Sequence, residues 1–116
     1  MKLGHCMTAL ITPMTDTGEL DLTALSNLVE KLIAEGCDGF VVCGTTAEAS
    51  ALSREEKQQV LRCVLKQSEG RVCVWMGCGT NNTAETLDLI RWVNAEPVDG
   101  IMLVCPYCVR PSQQGL

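Results

Sequence analysis

Phe40-Val41-Val42-Cys43-Gly44-Thr45-Thr46-Ala47-Glu48, followed by Leu52-Ser53-Arg54-Glu55-Glu56, is the stretch that decides the fold. Four apolar residues in a row, with no polar alternation, describe a strand buried on both faces, as in parallel sheets. Gly44 releases the chain, and two hydroxyl residues follow where the strand ends. Ser53 with Glu56 three positions on is a capping box, so a helix begins there. The unit is strand, hydroxyl-bearing loop, helix. Ligands of α/β folds sit at the carboxyl ends of parallel strands, which aims Thr45 and Thr46 at a site able to hold a small carboxylate. The alternative is an ordinary turn whose threonines only satisfy backbone groups.

Outward from this unit the same pattern repeats. His5 to Ile11 reads as a first strand, ended by Thr12-Pro13, and Asp21 caps a helix. There Leu22, Leu25, Leu28, Val29, Leu32 and Ile33 recur at helical spacing until Gly36. The second helix turns Val60, Leu61, Val64 and Leu65 inward and ends at Gly70. Val72 to Met76 is a third strand with the exit loop Gly77-Cys78-Gly79-Thr80-Asn81. Asn82 with Glu85 opens a helix expected to bury Leu87, Ile90 and Val93, and Gly100 to Val104 is a fourth strand. Strands thus return about every 30 residues, the length of a βαβ unit, which dictates a parallel sheet with right-handed crossovers. An eight-unit barrel needs roughly 200 residues or more. The expectation is therefore a single α/β domain over residues 1–116. It is the N-terminal half of a (β/α)8 TIM barrel, with about four parallel strands and three helices, truncated before a fourth helix.

Composition narrows the function. A net charge of -5 with scattered Lys and Arg argues against nucleic-acid binding. No stretch approaches the roughly 20 apolar residues that cross a bilayer, and Cys6 to Ile11 reads as a strand, not a signal peptide. The eight cysteines lie mostly inside apolar runs, as in a reduced, cytoplasmic protein and not a disulfide scaffold. Cys105-Pro106-Tyr107-Cys108 matches the glutaredoxin redox pair, but Pro111 falls where the activating helix would run. Gly77-Cys78-Gly79 lacks the third glycine of a dinucleotide loop. His5 is the only histidine and no second close cysteine pair accompanies Cys73 and Cys78, so no metal and no cofactor are expected. Trp75 and Trp92 read as core or helix-packing residues. None of Lys2, Lys31, Lys57 and Lys66 falls at a strand exit, so no Schiff-base lysine is expected among them.

Three motifs in order carry a resemblance: Gly44-Thr45-Thr46-Ala47-Glu48; Gly79-Thr80-Asn81-Asn82-Thr83-Ala84-Glu85; and Pro106-Tyr107-Cys108-Val109-Arg110-Pro111-Ser112-Gln113-Gln114-Gly115-Leu116. With the opening Thr8 to Met14, they resemble the dihydrodipicolinate synthase (4-hydroxy-tetrahydrodipicolinate synthase) and N-acetylneuraminate lyase family, over about its first two-fifths. The ending leans to the synthase branch. The resemblance implies a homo-oligomer, dimer or tetramer, condensing pyruvate with aspartate semialdehyde in lysine biosynthesis through a Schiff-base lysine beyond Leu116. It implies Thr45 in a proton relay, Thr46 on the pyruvate carboxylate, and Tyr107 as the first of a Tyr-Tyr pair. Cys108 replaces the second tyrosine, which reaches across a dimer interface. Ala47 replaces a glycine and would be strained at φ > 0. Ser50, Asn81, Glu85 and Tyr107 match positions lining a lysine-effector site. Alone, the chain would be inactive. A self-associating, non-catalytic half-barrel and a piece of another pyruvate-dependent aldolase, such as N-acetylneuraminate lyase, are the alternatives.

Overall fold

The computed structural model describes residues 3–116. Its strands are β1 (Met7–Ala9), β2 (Gly39–Val42), β3 (Cys73–Gly77) and β4 (Gly100–Met102). Three helices alternate with them: α1 (Leu22–Ala34), α2 (Arg54–Ser68) and α3 (Thr83–Val93). All pairings are parallel, and the order in the sheet is the order in the chain. Such a sheet has no point where its order reverses, so successive crossovers of one hand lay their helices on one face. This is the wall of a barrel, four strands and three helices of the expected (β/α)8 architecture.

The helix starts follow from local chemistry. Asp21 accepts from the Ala24 N–H at 2.9 Å. Ser53 and Glu56 close a full capping box, the Ser53 hydroxyl accepting at 3.1 Å and the Glu56 carboxylate at 2.9 Å. Asn82 accepts from the Glu85 N–H at 3.2 Å, but the Asn82 N–H donates to the Thr80 hydroxyl at 3.0 Å. Only half of that box forms, which leaves the Glu85 carboxylate for other contacts.

Register separates the two faces of the sheet. Phe40 lies opposite Val74, and Val42 opposite Met76. These four, all at most 2 % exposed, pack beneath Leu25, Val29, Leu61, Val64 and Val93. Trp92 lies against this core with the Arg62 guanidinium 5.7 Å from its ring. Val41 and Trp75, one register step away, face the other side and are half-buried. Trp75 lies so close over Gly100 that a Cβ there would come within 2.8 Å of its ring.

Several boundaries move. β1 is shorter than His5 to Ile11 because the N–H groups of His5 and Cys6 donate to the Asp38 carboxylate, at 3.0 and 2.7 Å, and not to a strand. β4 stops at Met102, and Leu103 and Val104 are exposed. α3 turns Leu89 and Val93 inward and leaves Leu87 46 % exposed, contrary to the expected face. Helical spacing from Val93 back through Leu89 explains the choice, since Leu87 falls off that stripe. Pro111 to Leu116 holds a single 3-10 turn, Gln113–Gly115, capped by the Ser112 hydroxyl at 3.2 Å. Among the described residues no helix is long and apolar enough to cross a membrane, and all eight cysteines are free.

Candidate active site at the strand ends

Gly44 carries the chain from β2 into a 3-10 turn, Thr45–Ala47, followed by a second, Ala49–Ala51. The first turn uses the N–H groups of Ala47 and Glu48, which donate to Gly44 and Thr45 at 3.2 and 3.0 Å. The N–H groups of Thr45 and Thr46 precede this pattern. Thr12, at the exit of β1, donates its hydroxyl to the Ala47 carbonyl at 2.9 Å and ties the two strand exits together. Both threonine side chains are exposed, and among the described residues neither hydroxyl has a protein partner. They do not serve merely to satisfy the loop backbone.

Strain lies elsewhere than at Ala47. The left-handed conformation falls on Cys43 and Glu48, both at φ 55°, while Ala47 sits buried within the turn. Ala47 therefore needs no glycine here. The sharp bend at Cys43 brings its carbonyl against Gly77, where a Cβ would collide with it. This contact locks the exits of β2 and β3 side by side.

A cavity of about 340 Å³ opens at these exits, with Cys43, Thr45, Ser50, Lys57, Thr80 and Tyr107 in its wall. Thr45 and Tyr107, from the first and third motifs, are thus brought to one site. Thr46, Asn81 and Cys108 do not line it. Glu85 lines an adjoining cavity with Arg54, Lys57 and Asp88. Cys108 is exposed in a turn at φ 63°, and no helix begins at Cys105, so the dipole that activates a redox cysteine is absent there. Burial pushes the Cys43 thiol up to about 12 and the Cys78 thiol to about 11, with the Lys57 charge pulling both the other way. Both side chains are buried. Among the described residues no cluster of three or more His, Cys, Asp or Glu is gathered for a metal.

Lys57 corrects the expectation that no lysine stands near a strand exit. The signal was available: in a βα unit the amino end of the helix abuts the carboxyl end of the strand. Lys57 lies in the first turns after the Ser53 cap, so it shares the rim with Thr45.

A one-sheet parallel wall with a hydroxyl-bearing cavity at its strand ends defines part of a (β/α)8-barrel protein, the cavity lying on the rim where such barrels carry their sites. The model of the Dihydrodipicolinate synthetase family matches residues 2–116, and the chain belongs to that family. It is 47% identical over 116 residues to the 4-hydroxy-tetrahydrodipicolinate synthase of Moorella thermoacetica, and 41% identical to that of Bacillus subtilis. Each match takes in 100% of this chain and 40% of the relative, so the chain spans two-fifths of the relatives' length and corresponds to their N-terminal part. Among solved structures, a dihydrodipicolinate synthase from Bacillus anthracis superposes with a TM-score of 0.94 at 39% identity, over 99% of this chain and 39% of that one. A dihydrodipicolinate synthase from Acinetobacter baumannii, complexed with pyruvate, gives 0.92 at 36% identity, over 95% and 38%.

Proposed function

We propose that the chain is the N-terminal part of a 4-hydroxy-tetrahydrodipicolinate synthase that condenses pyruvate with aspartate semialdehyde. The observation that carries this reading is the meeting of Thr45 and Tyr107 at one cavity. In this reading Thr46 grips the pyruvate carboxylate with its free hydroxyl, and Thr45 and Tyr107 pass a proton along hydroxyl groups. Donors fixed at strand ends need little reorganisation as charge develops, which is why such a rim suits the task. The covalent lysine lies outside these 116 residues, so the chain alone has no turnover. Cys108 stands where a second tyrosine would complete the relay, and its shorter, softer thiol makes that step slow.

Two measurements test the reading. Borohydride trapping with labelled pyruvate is expected to leave the chain alone unlabelled, and stable labelling overturns the division of labour. Joining residues 1–116 to the remaining part of the Bacillus subtilis relative is expected to give a condensing enzyme. Tyr107→Phe then lowers kcat by about 10²-fold or more, and Cys108→Tyr raises it. A chimera that folds but ignores both changes refutes the relay.

The exposed Ile11, Met102, Leu103 and Val104 favour a second reading, a non-catalytic half-barrel that self-associates through its open side. Sedimentation of the chain separates the two: a well-folded, stable dimer supports assembly, and a monomer or aggregate removes it.

A further inference from the structure

Cys105 and Cys108 are exposed and stand three residues apart, past the end of β4. The other exposed cysteine, Cys6, precedes β1 at the opposite end of the strands. The remaining thiols are sealed or engaged. Cys37 donates to the Gly39 carbonyl at 3.0 Å, Cys63 meets the Ser26 hydroxyl at 3.3 Å, and Cys43, Cys73 and Cys78 are buried. Neither Cys105 nor Cys108 has a hydrogen-bond partner among the described residues. The pair lacks the helix of a glutaredoxin-type catalyst. What it has is proximity, which governs the second of the two exchanges that close a disulfide.

The backbone between the two thiols has two places to turn. The chain bends at Tyr107 and Cys108, with Cys108 in the left-handed region at φ 63°. Glycine favours that region and a cysteine is strained in it. Pro106 has its φ fixed by its ring at the value that suits the first central position of a turn starting at Cys105. Moving the bend back by one residue would make Cys105 and Cys108 its two ends and release Cys108 from the left-handed region. The ends of such a turn have Cα atoms less than about 7 Å apart, and disulfides span Cα separations up to about that value. Little resists the move: residues 103–111 form no helix or strand, and among the described residues they make no backbone-to-backbone hydrogen bond.

We propose that Cys105 and Cys108 are a modification site, a dithiol that closes reversibly into a disulfide with small disulfides as the oxidant. One cysteine, as thiolate, attacks a sulfur of R–S–S–R, forming a protein–S–S–R bond and expelling R–S⁻. The second thiolate attacks the protein sulfur of that bond, forming the Cys105–Cys108 bond and expelling the other R–S⁻. The two thiol protons end on the two expelled thiolates. Two cysteines are thus oxidised while one small disulfide is reduced to two thiols. Tyr107 lies between the pair and in the wall of the cavity that Thr45 and Thr80 share. Closure shifts the turn and withdraws Tyr107 from that wall, so the redox state of the pair sets the shape of the cavity.

The test treats the folded chain with excess oxidised glutathione and digests it with trypsin. Residues 92–116 are released as one segment, because the bond between Arg110 and Pro111 resists cleavage, and they hold these two cysteines and no other. That segment is expected to become lighter by about 2 Da, with glutathione adducts on it at about a tenth of that product or less. Dithiothreitol restores the original mass. Cys108→Ser is expected to leave Cys105 carrying glutathione. In the isotopically labelled chain, closure is expected to move the amide signals of Tyr107, Thr45 and Thr80 and to leave those of β1 and α1 in place. A segment that keeps glutathione, stays unmodified or links two chains would overturn the site. A closed disulfide with Thr45 and Thr80 unmoved would overturn its hold on the cavity. The mass comparison needs no variant, and no readout requires turnover, so the loss of the synthase reading would leave them standing.

Discussion

The two faces of the sheet carry equally apolar sequence but live in different surroundings. On the helix side, Phe40, Val42, Val74 and Met76 are sealed under α1, α2 and α3. On the other side, Ala9 and Met102 are exposed, and Val41 and Trp75 only half-buried. Hydrophobicity alone registers that a strand is fit for burial. It does not register what does the burying, which on the helix side is this chain's own helices, while on the other side Cys73 is sealed and the neighbouring residues are only half-buried or exposed. The candidate site's rim lies where the two regimes meet, with Cys43 sealed and Thr45 beside it open.

The largest contrast across that boundary is chemical. With its thiol pushed up to about 12, Cys43 holds roughly a thousandfold less thiolate at pH 8 than an unperturbed cysteine. Timed alkylation with iodoacetamide, read by mass spectrometry, is expected to modify the exposed Cys6, Cys105 and Cys108 first and leave Cys43 and Cys78 nearly untouched. Early labelling of Cys43 would mean that the rim opens and the sealed region is not sealed.

Adjacent valines on opposite faces give the next test. Val42→Ala removes buried methyl groups from a packed region and is expected to cost about 2–3 kcal/mol, whereas Val41→Ala costs about 1 kcal/mol or less. Denaturant midpoints of the two variants measure the difference. Equal losses would show that the open face is covered in solution, which is what the self-associating reading requires.

Gly100 refines the picture of that open face. Its missing side chain is the seat of the Trp75 ring, so Gly100→Ala must displace a large, flat group. A cost of about 1–2 kcal/mol is expected, below that of Val42→Ala, because the ring is only half-buried. A larger loss, matched by an unchanged Trp75 fluorescence, would show that the ring is held more firmly than its half-buried position implies.

What was legible in the sequence tracks how local its cause is. Asp21, Ser53 and Asn82 announce helix starts because a cap and its N–H partner lie three residues apart. The apolar strands and their 30-residue return made the parallel order readable, whereas Thr45 and Tyr107 were singled out only through the family resemblance that the ordered motifs carry. The failures need contacts between distant segments. β1 is shortened by Asp38, more than 30 residues away. Leu89 displaces Leu87 because the angle at which α3 lies on the sheet is set by packing. Ala47 escapes strain because Cys43 and Glu48 take the left-handed turns on either side of it. Lys57 reaches the rim only through the docking of α2 on β2 and β3.

The smallest effect is on the outer surface of the helices, farthest from the open face. Arg71 donates to both Glu30 oxygens, at 2.8 and 2.7 Å, and Gln67 donates at 2.7 Å, bridging α1 to the end of α2. These bonds, the Arg71 bond first, hold the Glu30 carboxyl at about 2. A carboxyl lowered on folding adds stability above its ordinary pKa of 4.5 and loses it as pH falls through about 2. Because the group is fully exposed, solvent screening keeps the gain small. Glu30→Gln should therefore leave the Val42 and Val41 contrast intact at pH 7 and flatten only the acid limb of stability between pH 4.5 and 2. An acid limb unchanged in Glu30→Gln would assign the acid sensitivity to Asp38, whose carboxyl the His5 and Cys6 N–H groups also lower, and would move the pH-sensitive joint from the helices to the amino end of the sheet.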